Sequence, residues 1–453
     1  MVPVLPFALT VRAGVDEKDL QKWTSVFLSV YGAALAVGSL AFGWVADRST
    51  SRRIPLLVGL VALAGATAML CVGNGLGVLI AGRFLQGLSA AVVWTVGLAL
   101  LSDTVPKEEI GQVMGYTAAA QSIGSLAGPL LGGVVYAKGG YYTVFAMGFA
   151  LIGLDIILRL IMVEKSLAKQ WLASNEASPS NISSNSGNLG PQEQCGAGEI
   201  QIVPMPDESS PSETAALSEK TAVATTHNWL ERLPPMIMLL RLPRLLAALF
   251  GCFVISASLT AFDSVLPLFV KQTFHWNSSG AGLIFICLVI PSICSPIIGM
   301  ISDRCGSRTL TTTGLLGSVP FWVLLRLVTH DSIKQKVLLG ALLVIIGFFI
   351  TLVMAPLMRD LDHTLTVEEK RKPGSLGTKG AAAQAFGLFS MAYAAGSVTG
   401  PLWAGFVAEK AGWGTMGWTL GLLSGVGGIV TFIWTGGRIM LKGREREGAG
   451  AVV

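Results

Sequence analysis

Charge is what this sequence has little of. Asp, Glu, Lys and Arg make up 13% of its 453 residues, about half the usual share of a water-soluble domain. With 52% hydrophobic residues and a mean hydropathy of +0.64, that scarcity excludes a soluble globular protein. Histidine is rare too: His227, His275, His330 and His363 all fall in loops or at the edges of apolar runs. No His or Cys cluster and no acid pair lies inside a run, so an intramembrane enzyme is excluded and neither metal nor cofactor is expected. The six cysteines (Cys71, Cys195, Cys252, Cys287, Cys294, Cys305) have no paired or metal-ligand spacing and read as small packing residues. No basic stretch precedes the first run, so no cleavable signal peptide is expected. The net charge of +5 is spread along the ends of the runs, which excludes nucleic acid as a partner.

What the chain does have is long apolar runs. A helix needs about 20 such residues to cross a bilayer, and eleven runs qualify: 23–45, 54–72, 76–101, 113–136, 142–162, 245–270, 280–301, 310–327, 337–357, 381–406 and 414–440. None alternates with a period of two, so these are helices and not barrel strands. Arg48, Arg52, Arg53, Arg304, Arg308, Lys370, Arg371, Lys372, Lys379, Arg438, Lys442, Arg444 and Arg446 lie beside run ends that alternation puts on one side. Basic residues mark the cytoplasmic side.

From Glu164 to about Thr226 the composition turns to Ser, Asn, Pro and Gly, the signature of a disordered linker. Trp229 to Arg244 suits an interfacial helix. The expected organisation is an N-terminal helix bundle over 1–163, a cytosolic linker with that helix over 164–240, a C-terminal bundle over 241–441, and a basic, flexible tail over 442–453. Arg359 to Lys379 reads as a solvated loop. Within the opening residues, Leu5-Pro6-Phe7 lines up with Leu266-Pro267-Leu268, so residues 1–12 read as the outer end of a first helix whose inner half is missing. Either the start is misassigned or the helix is truncated; the alternative is a flexible, polar-flanked terminus.

Two motifs occur twice. Gly43-Trp44-Val45-Ala46-Asp47-Arg48, with Arg52, links two runs, and Gly299-Met300-Ile301-Ser302-Asp303-Arg304, with Arg308, links two later ones. Gly124, Gly128 and Gly132 recur every four residues and line one helix face, with Pro129 and Gly133 beside them. The counterpart runs Gly396 through Gly400-Pro401 to Gly405, and the two segments align without a gap from Gln112 and Gln384 to Gly140 and Gly412. Single polar residues inside runs complete the set. Arg83 and Gln86 sit three apart on one face, with Trp94 further along; burying Arg83 is costly, so it is either a structural anchor or functional. Asp155 and Arg159 make an i, i+4 pair of the favourable order, read as structural. Asp263, among Ala, Phe, Val and Leu, must be paired, protonated or facing water; a fixed ion pair is the alternative to a proton or cation site.

The duplicated Asp-Arg loop and Gly-Pro helix resemble the major facilitator superfamily, and within it the twelve-span drug:proton antiporters and their vesicular-monoamine-transporter-like, fungal-type branch. The resemblance implies an all-α membrane protein of two six-helix bundles with pseudo-two-fold symmetry, the first helix here truncated. The branch's acid early in that helix would lie upstream of Met1. It further implies a monomeric multi-pass carrier in a plasma, vacuolar or vesicular membrane, working on a small amphipathic or cationic organic compound by proton-coupled antiport and alternating access. Asp47, Arg48, Arg52, Asp303, Arg304 and Arg308 would form a cytoplasmic gate. Gly124, Gly128, Pro129, Gly132, Gly133, Gly400 and Pro401 would belong to the antiporter-motif helices. Asp263 and Arg83 would couple protons, and Gln86 and Trp94 would line the cavity. The alternatives are an uncoupled facilitator and a degenerate carrier serving as sensor or scaffold.

Overall fold

The structure, a computed structural model, describes residues 16, 20–49, 51–161, 235–276, 278–371, 373–374 and 381–436. Residues 1–12, read above as the outer end of a first helix, the linker up to residue 234 and the tail lie outside these residues. Among them the chain forms helices α1 (Leu20–Arg48), α2 (Arg53–Val72) and α3 (Leu76–Thr104), then a 52-residue helical stretch, Ile110–Ile161. At about 1.5 Å per residue that stretch would be about 78 Å long, far beyond a bilayer core of about 30 Å. Gly140 breaks it, with φ 76° and ψ −172°, a conformation open to glycine alone. It is therefore two helices, α4 (110–139) and α5 (141–161).

The second half repeats the plan. α6 is Pro243–Phe274, preceded by the short helix Pro235–Leu239. α7 runs from Ser278 to Cys305 and tightens to a 3₁₀ turn over Ile290–Cys294, where Pro291 removes a backbone donor. α8 is Ser307–Leu324 and α9 is Ile333–Arg371. The 53-residue stretch Ala382–Trp434 is broken at Gly412 (φ 85°, ψ 169°) into α10 (382–411) and α11 (413–434). Gly140 and Gly412 are equivalent positions of the ungapped repeat. Ten helices among the described residues are long and apolar enough to cross a membrane. The break in the last brings the crossings to the eleven runs.

α9 departs from the sequence expectation. The apolar run ends at Leu357, yet the helix continues to Arg371 through residues expected in a solvated loop. Burial is the reason: Asp360, Leu361, Asp362, Thr364 and Leu365 all pack under neighbouring helix ends, which favours backbone bonded within the helix.

Packing follows the repeat. α1 lies on α3 within the first half and on α10 across the halves; α7 lies on α9 and, across the halves, on α4. α6 is the most buried of the spans, with 72% of its most apolar stretch buried against 11% for that of α5, which faces outward. The main core threads through Val96, Phe262, Trp322, Leu357 and Phe386, with Phe262 and Trp322 stacked 4.9 Å apart.

Candidate functional site

α10 begins after Ala381, a residue in the left-handed region (φ 50°) whose methyl group cannot cap a helix. Its first-turn N–H groups need an acceptor from elsewhere. Asp47, at the end of α1, supplies it: Oδ1 accepts from Ala383 N–H at 3.0 Å and Oδ2 from Gln384 N–H at 2.9 Å. In the other half Asp303, at the end of α7, accepts from Gly111 N–H at 2.9 Å and Gln112 N–H at 3.0 Å, in the first turn of α4. Each carboxylate thus sits on the positive end of a helix from the opposite half. The approach leaves no room for a side chain. A Cβ on Gly43 would stand 2.7 Å from the Ala383 carbonyl, and one on Gly299 would collide with that of Gly111.

The arginines divide. Arg52, itself buried, donates Nη2 to Asp47 and Nε to Asp103 of α3, both at 3.1 Å. Asp303 is partnered by Arg359 of α9, Nε to Oδ1 at 2.8 Å, and Arg308 donates to the Thr435 carbonyl. Arg48 lies 3.8 Å over the Trp44 ring, and Arg304 is exposed without an ion pair among the described residues. Neither reaches the capping carboxylates. Arg244 of α6 and Ser307 of α8 both bond Asp360, which has no exposed surface.

Deeper in the bilayer the polar residues are sparse. Arg83, 5% exposed, donates Nη1 to Gln86 at 3.0 Å and interacts with Tyr31 of α1; its Nε has no hydrogen-bond partner among the described residues. Asp263 of α6 is an exposed residue with no ion pair among the described residues. Tyr393 of α10 is within interaction range of Asp263, Tyr31 and Gln121 of α4. Gln121 and Tyr393 are equivalent positions of the repeat. Symmetry mates can meet only at the pseudo-two-fold axis, so this pair marks the centre of the molecule. Arg83 and Asp263 form no ion pair with each other, and Trp94 is half-buried and packed on the core.

The two Gly-Pro helices differ in what faces them. A Cβ at Gly396 or Gly400 would press on Phe253, Ser256 and Ala257 of α6, whereas Gly124, Gly128, Gly132 and Gly133 meet no described residue. α10 continues through Pro401; the side chain of Pro129 lies outside the described residues.

A doubled set of crossings, each half capping a helix of the other, is the geometry of a carrier made from a repeat. The sequence profile described as Major Facilitator Superfamily matches residues 3–372. The chain belongs to this superfamily. It is 31% identical to the MFS-type transporter ppzB of Metarhizium majus over 447 residues, 97% of this chain and 96% of that one. A shorter match, 39% over 111 residues, is to the vesicular acetylcholine transporter of Tetronarce californica, covering 24% of this chain and 22% of that one. The crystal structure of the human organic anion transporter MFSD10 (TETRAN) superposes with a TM-score of 0.61 at 16% identity, over 95% of this chain and 88% of its own; that likeness concerns the fold.

In this superfamily transporter, which is not an enzyme, the polar contacts described above involve residues that a motif reading reaches only in part. Asp103, Arg244, Arg359 and Asp360 were invisible because their partners lie far away in the chain. Gln121 and Tyr393 did carry a signal: both are polar, inside apolar runs, at one position of the repeat. Tyr31 carried none.

Proposed function

We propose that this transporter exchanges protons for a small amphipathic or cationic organic compound, exporting it by alternating access. The state described here is closed on the side of the charged loops, which the positive-inside rule makes cytoplasmic. Asp47 and Asp303 form the gate, since each loses two backbone donors and each helix its cap when the halves part there. Arg52 holds Asp47 in place. Asp263 carries the coupling proton and offers a carboxylate to a cationic substrate, with Gln121 and Tyr393 beside it on the axis. The observation that carries this reading is Asp263, an acidic residue without an ion pair among the described residues, in the helix that is otherwise most buried. A carboxylate in such a place exchanges between a proton and a cation more readily than one locked in an ion pair. The partial match to a transporter named for acetylcholine, a cation, agrees.

The test is flux. The full chain in proteoliposomes with an imposed pH gradient is expected to release protons when an amphipathic organic cation such as ethidium is added. Asp263→Asn abolishes that release. Undiminished proton flux in the variant removes Asp263 from the mechanism, substrate flux without protons leaves an uncoupled facilitator, and binding without flux leaves a sensor.

A further inference from the structure

The extension of α9 holds a contact that the duplicated motifs do not contain. In chain order α9 corresponds to α3, but α3 stops at Thr104 after 29 residues whereas α9 continues for 39. The additional turns are fixed to their own half. Arg359 bonds Asp303, and Asp360, with no exposed surface, is held by Arg244 and Ser307. Two residues on, Asp362 points the other way. Its Oδ1 and Oδ2 accept from Lys107 Nζ at 2.9 and 3.0 Å, and Oδ1 also accepts from the Ser102 hydroxyl. Ser102 ends α3 and Lys107 lies in the link to α4, so both belong to the first half. The Asp362 side chain is only 5% exposed, while that of Lys107 is 52% exposed.

We propose that Asp362, with Ser102 and Lys107, is a third latch between the halves, without a counterpart across the pseudo-two-fold among the described residues, which holds the transporter closed at its charged-loop face. This rests on the alternating-access reading above. Because the extension is anchored by Asp360 and Arg359, Asp362 moves with the second half and must leave Ser102 and Lys107 when that face opens. The two partners contribute unequally. An exposed lysine adds little to a pair; a buried hydroxyl bonded to a carboxylate adds more, since separation strips both groups of a partner. The latch biases the two states by the difference in its free energy between them and does not touch substrate.

Hydrogen exchange of the full chain in nanodiscs tests this, read at the first-turn amides of α10, Ala383 and Gln384. Asp47 caps them, and Asp362 does not touch them, so a change there reports opening and not local loosening. Asp362→Asn is expected to raise exchange at these amides about ten-fold, and Lys107→Gln, a surface change that leaves the fold intact, about two- to five-fold. Asp303→Asn, which removes the other cap and does not touch these amides, serves as the reference for an opened face. If Asp303→Asn raises exchange while Asp362→Asn and Lys107→Gln leave it at the parent value, the latch is overturned and alternating access stands. Unchanged exchange in all three variants overturns both.

Discussion

Asp47 and Asp303 do for α10 and α4 what the residues at those helix starts do not do for themselves. Two N–H donors per carboxylate, each on a helix N-terminus, make a contact whose strength depends on a distance of about one hydrogen bond. Gly43 sets that distance. In Gly43→Ala the new methyl would meet the backbone of Ala383 and Gln384, which cannot move aside as a side chain can. The expected cost to the closed state is about 1–3 kcal/mol, seen as faster labelling by a membrane-impermeant thiol reagent of a cysteine placed at Gln384. An unchanged labelling rate would mean that α10 does not rest on α1 in the membrane. The motif told which residues are small and which are charged. It could not tell that Arg48 turns onto Trp44 while Arg52 turns inward, because that choice depends on Asp103, which approaches from another helix.

Helix extents were legible where the bilayer decides them and illegible where other helices do. An apolar run ends when the chain reaches water, so ten of the eleven runs ended near their helices. α9 is the exception, and its extension is held by a buried charge pair rather than by lipid. Arg244→Gln should therefore be severe. It leaves Asp360 a buried carboxylate with Ser307 as its remaining side-chain partner, a change worth about 3–5 kcal/mol, and thermal unfolding in detergent should show a clear loss of melting temperature. Converting both members of the pair to apolar residues should recover much of it. If the single change is silent, the extension is not anchored as described. Gly140 and Gly412 show the converse case. Two glycines at one position of a repeat could be read as a shared break, because the backbone they allow is a local property.

At the charged-loop face, among the described residues, two equivalent caps and the Asp362 contact, which has no counterpart there, join the halves. The caps occupy separate clusters, so their effects should add. Asp47→Asn and Asp303→Asn are each expected to shift the transporter toward the form open at the charged loops, and the double variant to shift it by the sum, within about 0.3–0.5 kcal/mol. Distances between spin labels on the two halves at that face would measure the populations. A double variant no more open than either single one would mean that the two caps break as one event.

By itself the sequence determined that the chain crosses a membrane repeatedly, that it is built twice, and which superfamily it resembles. Those follow from hydropathy over about 20 residues and from similarity between segments, both properties of the chain read along its length. Only the tertiary structure decided which charges meet. Asp47 finds the start of α10, Asp303 the start of α4, and Asp362 the end of α3, across hundreds of intervening residues. An ion pair or a helix cap depends on distance in space, and nothing local distinguishes a carboxylate that will find a partner from one, like Asp263, left open among apolar helices.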